Sequence, residues 1–89
     1  MTEEKKVWID FMETVFAVFE TAGRSLWISR DGNLGYNGTI KKHADHIYSI
    51  TQKKGGAYFF CSFDIQVFFD PHARQEEAAI GELTKGAQN

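Results

Sequence analysis

Ala57-Tyr58-Phe59-Phe60-Cys61-Ser62-Phe63, followed by Asp64 and then Ile65-Gln66-Val67-Phe68-Phe69, is the stretch on which the fold turns. Side chains of a strand point alternately to its two faces. Ala57, Phe59, Cys61 and Phe63 therefore share one face, and Tyr58 and Phe60 share the other. Both faces are greasy. A small sheet has one inside, so the second aromatic face must lie under another element or against another chain, because a flat aromatic edge left open invites aggregation. The reading favours an oligomer whose interface takes Tyr58, Phe59, Phe60, Phe63, Ile65, Val67, Phe68 and Phe69.

Upstream of this stretch the period is also two, with turn signals at Asp31-Gly32, at His43 to Asp45, and at Lys53-Lys54-Gly55-Gly56. The strand-like runs are Ser25 to Arg30, Asn33 to Lys42, His46 to Gln52, Ala57 to Phe63 and Ile65 to Phe69. Their short connections suit an antiparallel meander. From Glu3 to Ala22 the period lengthens: Val7, Trp8, Phe11, Met12, Val15, Val18, Phe19 and Ala22 recur every three or four residues, and Gly23 is placed as a terminator. This predicts an amphipathic helix through at least Glu13. The β-branched and aromatic run Thr14 to Phe19 reads equally as a first strand. Asp70-Pro71 closes the sheet, and Asp70 is placed to cap a short helix over Gln75 to Ile80, ended by Gly81, before a frayed tail from Thr84 to Asn89. The expected fold is mainly β: a five-stranded, strongly bent antiparallel barrel with an N-terminal helix over residues 1–71, and a short helix and tail over 72–89.

The chain has 89 residues, the size of one domain, and its aromatic content of 15% argues against disorder. No apolar run approaches the ~20 residues of a membrane-spanning helix, and the charged start does not resemble a secretory signal. A cytoplasmic protein with no membrane partner is expected. The single cysteine, Cys61, has no internal partner for a disulfide, and the sequon at Asn37-Gly38-Thr39 is then irrelevant. Net charge is −2, but it is unevenly spread. Residues 1–22 are acidic, with Glu3, Glu4, Asp10, Glu13 and Glu20 against Lys5 and Lys6. Residues 23–56 are basic, with Arg24, Arg30, Lys41, Lys42, Lys53 and Lys54 against Asp31 and Asp45, a net +4. Such a block either forms a basic face or amounts to solvated lysines beside turns.

Helix, then five strands, with Asp-Gly after the first strand, a glycine within the second and an aspartate in the next turn, resembles the Sm-like family, which includes the bacterial Hfq proteins. The first motif of that family falls on Leu26-Trp27-Ile28-Ser29-Arg30-Asp31-Gly32, then Gly38-Thr39-Ile40, then Asp45-His46-Ile47-Tyr48-Ser49-Ile50. Gly32 to Gly38 and Gly38 to Asp45 are each one residue longer than in the family, and Ser49 stands where Asn is usual. A bulge accommodates an extra residue. The second motif falls on Phe60-Cys61-Ser62-Phe63-Asp64-Ile65, with neither the Arg-Gly of Sm proteins nor the Lys-His of Hfq.

The resemblance implies a homo-oligomeric ring of five to seven subunits, in which the fourth strand of one pairs with the fifth of the next. It implies single-stranded RNA as ligand, with Lys41, Lys42, His43, Asp45, His46 and Ser49 on one wall and Cys61 and Ser62 on the other. A histidine stacks on a base, serine hydroxyls bond its edge, and lysines meet phosphate. The missing motif residues and the acidic balance point instead to a ring serving as a protein scaffold or adaptor; a small α+β module outside this family is the third reading. His43, Asp45 and His46 are possible metal ligands, but they crowd one turn and His72 would have to complete the set from elsewhere, so no metal is expected. Paired carboxylates, a nucleophile elbow and a phosphate loop are lacking, so neither catalysis nor a cofactor is expected.

Overall fold

The structure, a computed structural model, describes residues 2–73. The elements are α1 (Glu3–Ala22), β1 (Ser25–Ser29), β2 (Gly35–Ala44), β3 (Ile47–Thr51), β4 (Ala57–Cys61), a 3-10 turn (Ser62–Asp64) and β5 (Val67–Phe69). The short helix expected over Gln75 to Ile80 and the tail lie outside the described residues.

α1 is a helix to its end, including the stretch that also reads as a strand. Thr2 caps it, its hydroxyl accepting from the Lys5 amide at 3.2 Å, and Glu3 and Glu4 sit at the positive end of the helix dipole. At the other end Gly23 adopts the left-handed conformation (φ 64°). Its N–H donates to the Glu20 carbonyl while that of Arg24 donates to Phe19, a Schellman closure. Tertiary packing overrides the β propensity of Thr14 to Phe19: helical spacing sets Met12 and Phe16 together on the buried face. The Arg24 guanidinium then pairs with Asp70 at 2.7 Å, tying the end of the helix to the end of β5.

The five strands form one antiparallel sheet in the order β4-β3-β2-β1-β5. It does not close into the expected barrel. Among the described residues β4 pairs only with β3 and β5 only with β1, so these two strands are the edges of the described sheet. The reason lies in the connection between them. Ser62 leaves the sheet, giving its N–H to the His46 carbonyl and its hydroxyl to Glu13, so β4 stops at Cys61 rather than Phe63. The chain turns through Ser62–Asp64, and only three residues of β5 remain to pair with Trp27, Ile28 and Ser29.

The helix covers one face. Met12 and Phe16 pack there on Leu26, Ile28, Ile40, Tyr48, Ile50 and Phe60, with Phe68 and Trp8 at the margin. Ile65 is buried in the same core. Much of the aromatic content assigned to an interface is thus used inside the chain: Phe60 and Ile65 are core, Phe68 borders it, Tyr58 stacks on Tyr36 at 4.0 Å, and Phe69 stacks on Trp27 at 4.7 Å. Phe59, Phe63 and Val67 remain exposed.

The β2–β3 turn is tighter than the sequence suggests. β2 runs on to Ala44, with a register shift between Lys42 and Ala44 that absorbs one extra residue at His43. Asp45 and His46 make the turn, and His46 takes φ 67°, the only non-glycine residue among those described with left-handed backbone. β2 begins at Gly35 rather than Asn33, because Asp31 Oδ1 accepts the amides of Asn33 and Leu34 and Ser29 Oγ donates to the Leu34 carbonyl. Those two amide donors hold the Asp31 carboxyl below its usual range.

Candidate functional site

Strand alternation and the bulge divide the residues of the expected RNA wall between two surfaces. Lys41 and His43 rise on the face that α1 leaves open, beside Ser49 and Phe59 of the next two strands. His43 Nε2 is 2.8 Å from Ser49 Oγ, and its ring lies 5.0 Å from that of Phe59. Phe59 is 60% exposed, so its ring is held by His43 on one side and open to solvent on the other. Cys61, half-buried, follows on the same face.

His46 turns away from His43. Its Nδ1 lies 2.7 Å from Glu13 Oε2, the same oxygen that accepts the Ser62 hydroxyl at 2.6 Å, and its ring packs 4.5 Å from Phe63. One carboxylate of the helix thereby clamps the β2–β3 turn and the 3-10 turn together. Ser62 is fully buried. The two serines expected to bond a base are thus engaged within the chain, Ser49 by His43 and Ser62 by Glu13. Lys42 faces the helix side, and its amide donates to Glu20 Oε1 at 3.2 Å; Asp45 stays exposed at the turn. The histidines do not converge, and among the described residues no group of three His, Cys, Asp or Glu side chains is placed to hold a metal ion.

On the helix side, a groove between α1 and the sheet is lined by Asp10, Glu13, Glu20, Lys42 and Tyr48. Burial, then the charges of Glu13, Glu20 and Asp45, push the Tyr48 hydroxyl up to about 12. Folding therefore binds this phenolic proton more tightly than the unfolded chain does. Stability is expected to be undiminished by this group below the unfolded value of ~10 and to fall as pH rises from there toward 12. Urea unfolding at a series of alkaline pH values checks this: Tyr48→Phe should flatten the fall, and an unchanged slope would contradict it.

None of the described strands contains a carboxylate. Among the described residues the acids lie on α1 and in turns, so the open face of the sheet presents Lys41, His43, Trp27 and Phe59 without an opposing charge. Beside the start of β1, Ser25, Asn37, Lys53, Lys54 and His72 line a cleft of about 380 Å³ that also lacks an acidic wall. From the sequence, Lys53 and Lys54 read equally as phosphate contacts on a loop rim and as a solvated hairpin tip, and nothing there joins them to His72. Sequence reasoning also missed Glu13, which lies 33 residues from His46 and 49 from Ser62, beyond any local signal.

One helix laid across an open five-stranded antiparallel sheet, in which β1 to β4 form the expected meander but β5 crosses to the far edge beside β1, defines an α+β protein. Among known proteins the chain matches no family model, no curated protein and no solved structure. No described helix is long and apolar enough to cross a membrane.

Proposed function

We propose that this chain is a non-catalytic single-stranded RNA-binding protein of the Sm-like kind, which takes bases and phosphates on the open face of its sheet. The observation that carries the reading is the exposed Phe59 ring, backed by His43 and flanked by Lys41, on a face whose strands bear no carboxylate. Single-stranded nucleic acid is bound by aromatic platforms beside basic side chains, and stacking on such a ring contributes ~1–3 kcal/mol per base. The cleft at Lys53, Lys54 and His72 offers phosphate contacts at one end of the chain's polar surface. Ring assembly belongs to the same proposal. It is supported by the edge strand β4, which carries exposed Phe59 and has no second strand beside it among the described residues, and so can accept a strand of a neighbouring subunit.

Fluorescence anisotropy with U-rich and A-rich oligonucleotides at two ionic strengths tests the proposal. Phe59→Ala should weaken binding about tenfold, in line with the loss of one stacked base. The double variant Lys41→Ala, Lys42→Ala should weaken it and lower the salt slope, with most of the loss reproduced by Lys41→Ala alone, since Lys42 faces the helix. Affinity unchanged in Phe59→Ala would defeat the proposed surface, and absence of oligonucleotide binding at either ionic strength would leave the scaffold reading in its place.

A further inference from the structure

We propose that two copies of this chain pair through the outer face of α1, antiparallel, about a two-fold axis at Thr14. Val7, Phe11, Thr14, Val18 and Thr21 follow one another at spacings of four, three, four and three residues, the repeat of a helix-pairing seam. This stripe lies opposite the buried side of the helix, which carries Ile9, Met12 and Phe16; Val7, Phe11 and Val18 are 57–62% exposed, although the Phe11 ring also meets Phe68 of β5 at 6.1 Å and Trp8 at 6.4 Å. Thr14 turns its hydroxyl back onto the Asp10 carbonyl at 2.8 Å, leaving its methyl group for a contact.

The seam is self-complementary in one sense of pairing. Thr14, Ala17, Val18, Thr21 and Ala22 line a shallow, mostly apolar depression on the second half of the helix, and Phe11 projects from the first half. Antiparallel pairing about Thr14 brings Phe11 of each copy over Ala17 and Val18 of the other, and Val7 over Thr21. An interface of this symmetry uses the same patch twice. Charge selects the same sense. The acidic first turn, Glu3 and Glu4, comes opposite Arg24 of the second copy, whose guanidinium keeps donors beyond its bond to Asp70 and is 45% exposed. Parallel pairing would set Glu3, Glu4 and Asp10 against their own copies. The occupant is therefore a second copy rather than an unrelated apolar segment.

A strip as long as this helix, about 30 Å, and about 10 Å wide covers on the order of 300 Å² per copy. That is well below the ~800 Å² per partner of a standard interface, so the pair is weak and reversible. The surface lies apart from Phe59 and His43, and the inference stands independently of RNA binding.

Disulfide trapping tests it. In a Cys61→Ser background, Thr14→Cys lies on the axis and should oxidise to a covalent dimer at least tenfold faster than Val7→Cys. In the antiparallel pair the two Val7 positions are about 21 Å apart along the helix, far outside disulfide reach. An equimolar mixture of Val7→Cys and Thr21→Cys should give the mixed dimer, and adding Phe11→Glu to Thr14→Cys should slow trapping at least tenfold. Equal rates for Thr14→Cys and Val7→Cys, or trapping indifferent to Phe11→Glu, would overturn the proposal. With Cys61 intact, sedimentation velocity at rising concentration should show a doubling of mass in the wild-type chain, of the monomer or of a ring already formed through the strand edges, and Phe11→Glu should abolish that doubling alone at unchanged circular dichroism. A doubling that Phe11→Glu leaves intact would equally overturn the proposal.

Discussion

Phe16→Ala is expected to destabilise the fold by ~3–5 kcal/mol, the usual cost of truncating a fully buried phenylalanine. Phe16 has no exposed surface, and its ring meets Tyr48, Phe60 and Phe68 edge-on at centroid distances of 5.1, 6.0 and 5.9 Å. These partners come from β3, β4 and β5, so one side chain joins the helix to the central part of the sheet and to both its edges. For a chain of this length total stability is about 4–13 kcal/mol, and the loss is a large share of it. The melting temperature should fall by roughly 12–40 °C, taking ~4–8 °C per kcal/mol. Val18→Ala, on the exposed side of the same helix, should change stability by no more than ~0.5 kcal/mol. Urea unfolding of both variants checks the pair; similar losses would mean that the helix does not pack as described.

Gly38→Ala should be the most damaging of the small substitutions, at ~3 kcal/mol or more. A Cβ at this buried position would overlap the carbonyl oxygen of Thr51 and crowd the Cα of Gln52. Both are backbone, so relief requires β2 to separate from the end of β3, where Thr39 pairs with Thr51. Gly35→Ala is the informative comparison. Its Cβ would overlap the indole of Trp27, a side chain that moves by giving up its stack on Phe69. A cost of ~1–3 kcal/mol with a change in tryptophan fluorescence is expected there. Chemical denaturation ranks the two, and a Gly38→Ala protein as stable as the wild type would refute the close approach of β2 and β3.

The extent to which these features are legible in the sequence differs by interaction. The first half of the helix is visible in the spacing from Val7 onward, and Gly23 is visible as a stop, because capping and periodicity act within a few residues; that Thr14 to Ala22 continue the helix was settled by packing. The strands are visible for the same reason, and the extra residue before Asp45 appears where a bulge takes it up at His43. Barrel closure is not visible. It depends on where β4 lets go of the sheet, and that is set by the bond from Ser62 to Glu13 across 49 positions.

The candidate site divides along the same line. Lys41, His43 and Phe59 share a face by strand parity, which the sequence contains once the register is known. His46, two residues from Asp45's neighbour Ala44 and read as a base-stacking partner, is instead drawn to the helix by Glu13. The aromatic residues from Tyr58 to Phe69 read alike in composition, yet Phe60 is sealed under Phe16 while Phe59 stands in solvent.

Residue order alone was enough for the first half of the helix, the five strand runs in their order along the chain and the basic middle block, since each rests on local backbone preference and alternation. Which aromatic face the helix covers, which edges stay open and which serines are already bonded came from packing in three dimensions. Those outcomes are decided by contacts between residues far apart in the chain, whose strength depends on burial and on the exclusion of water, and neither is encoded in any one short segment.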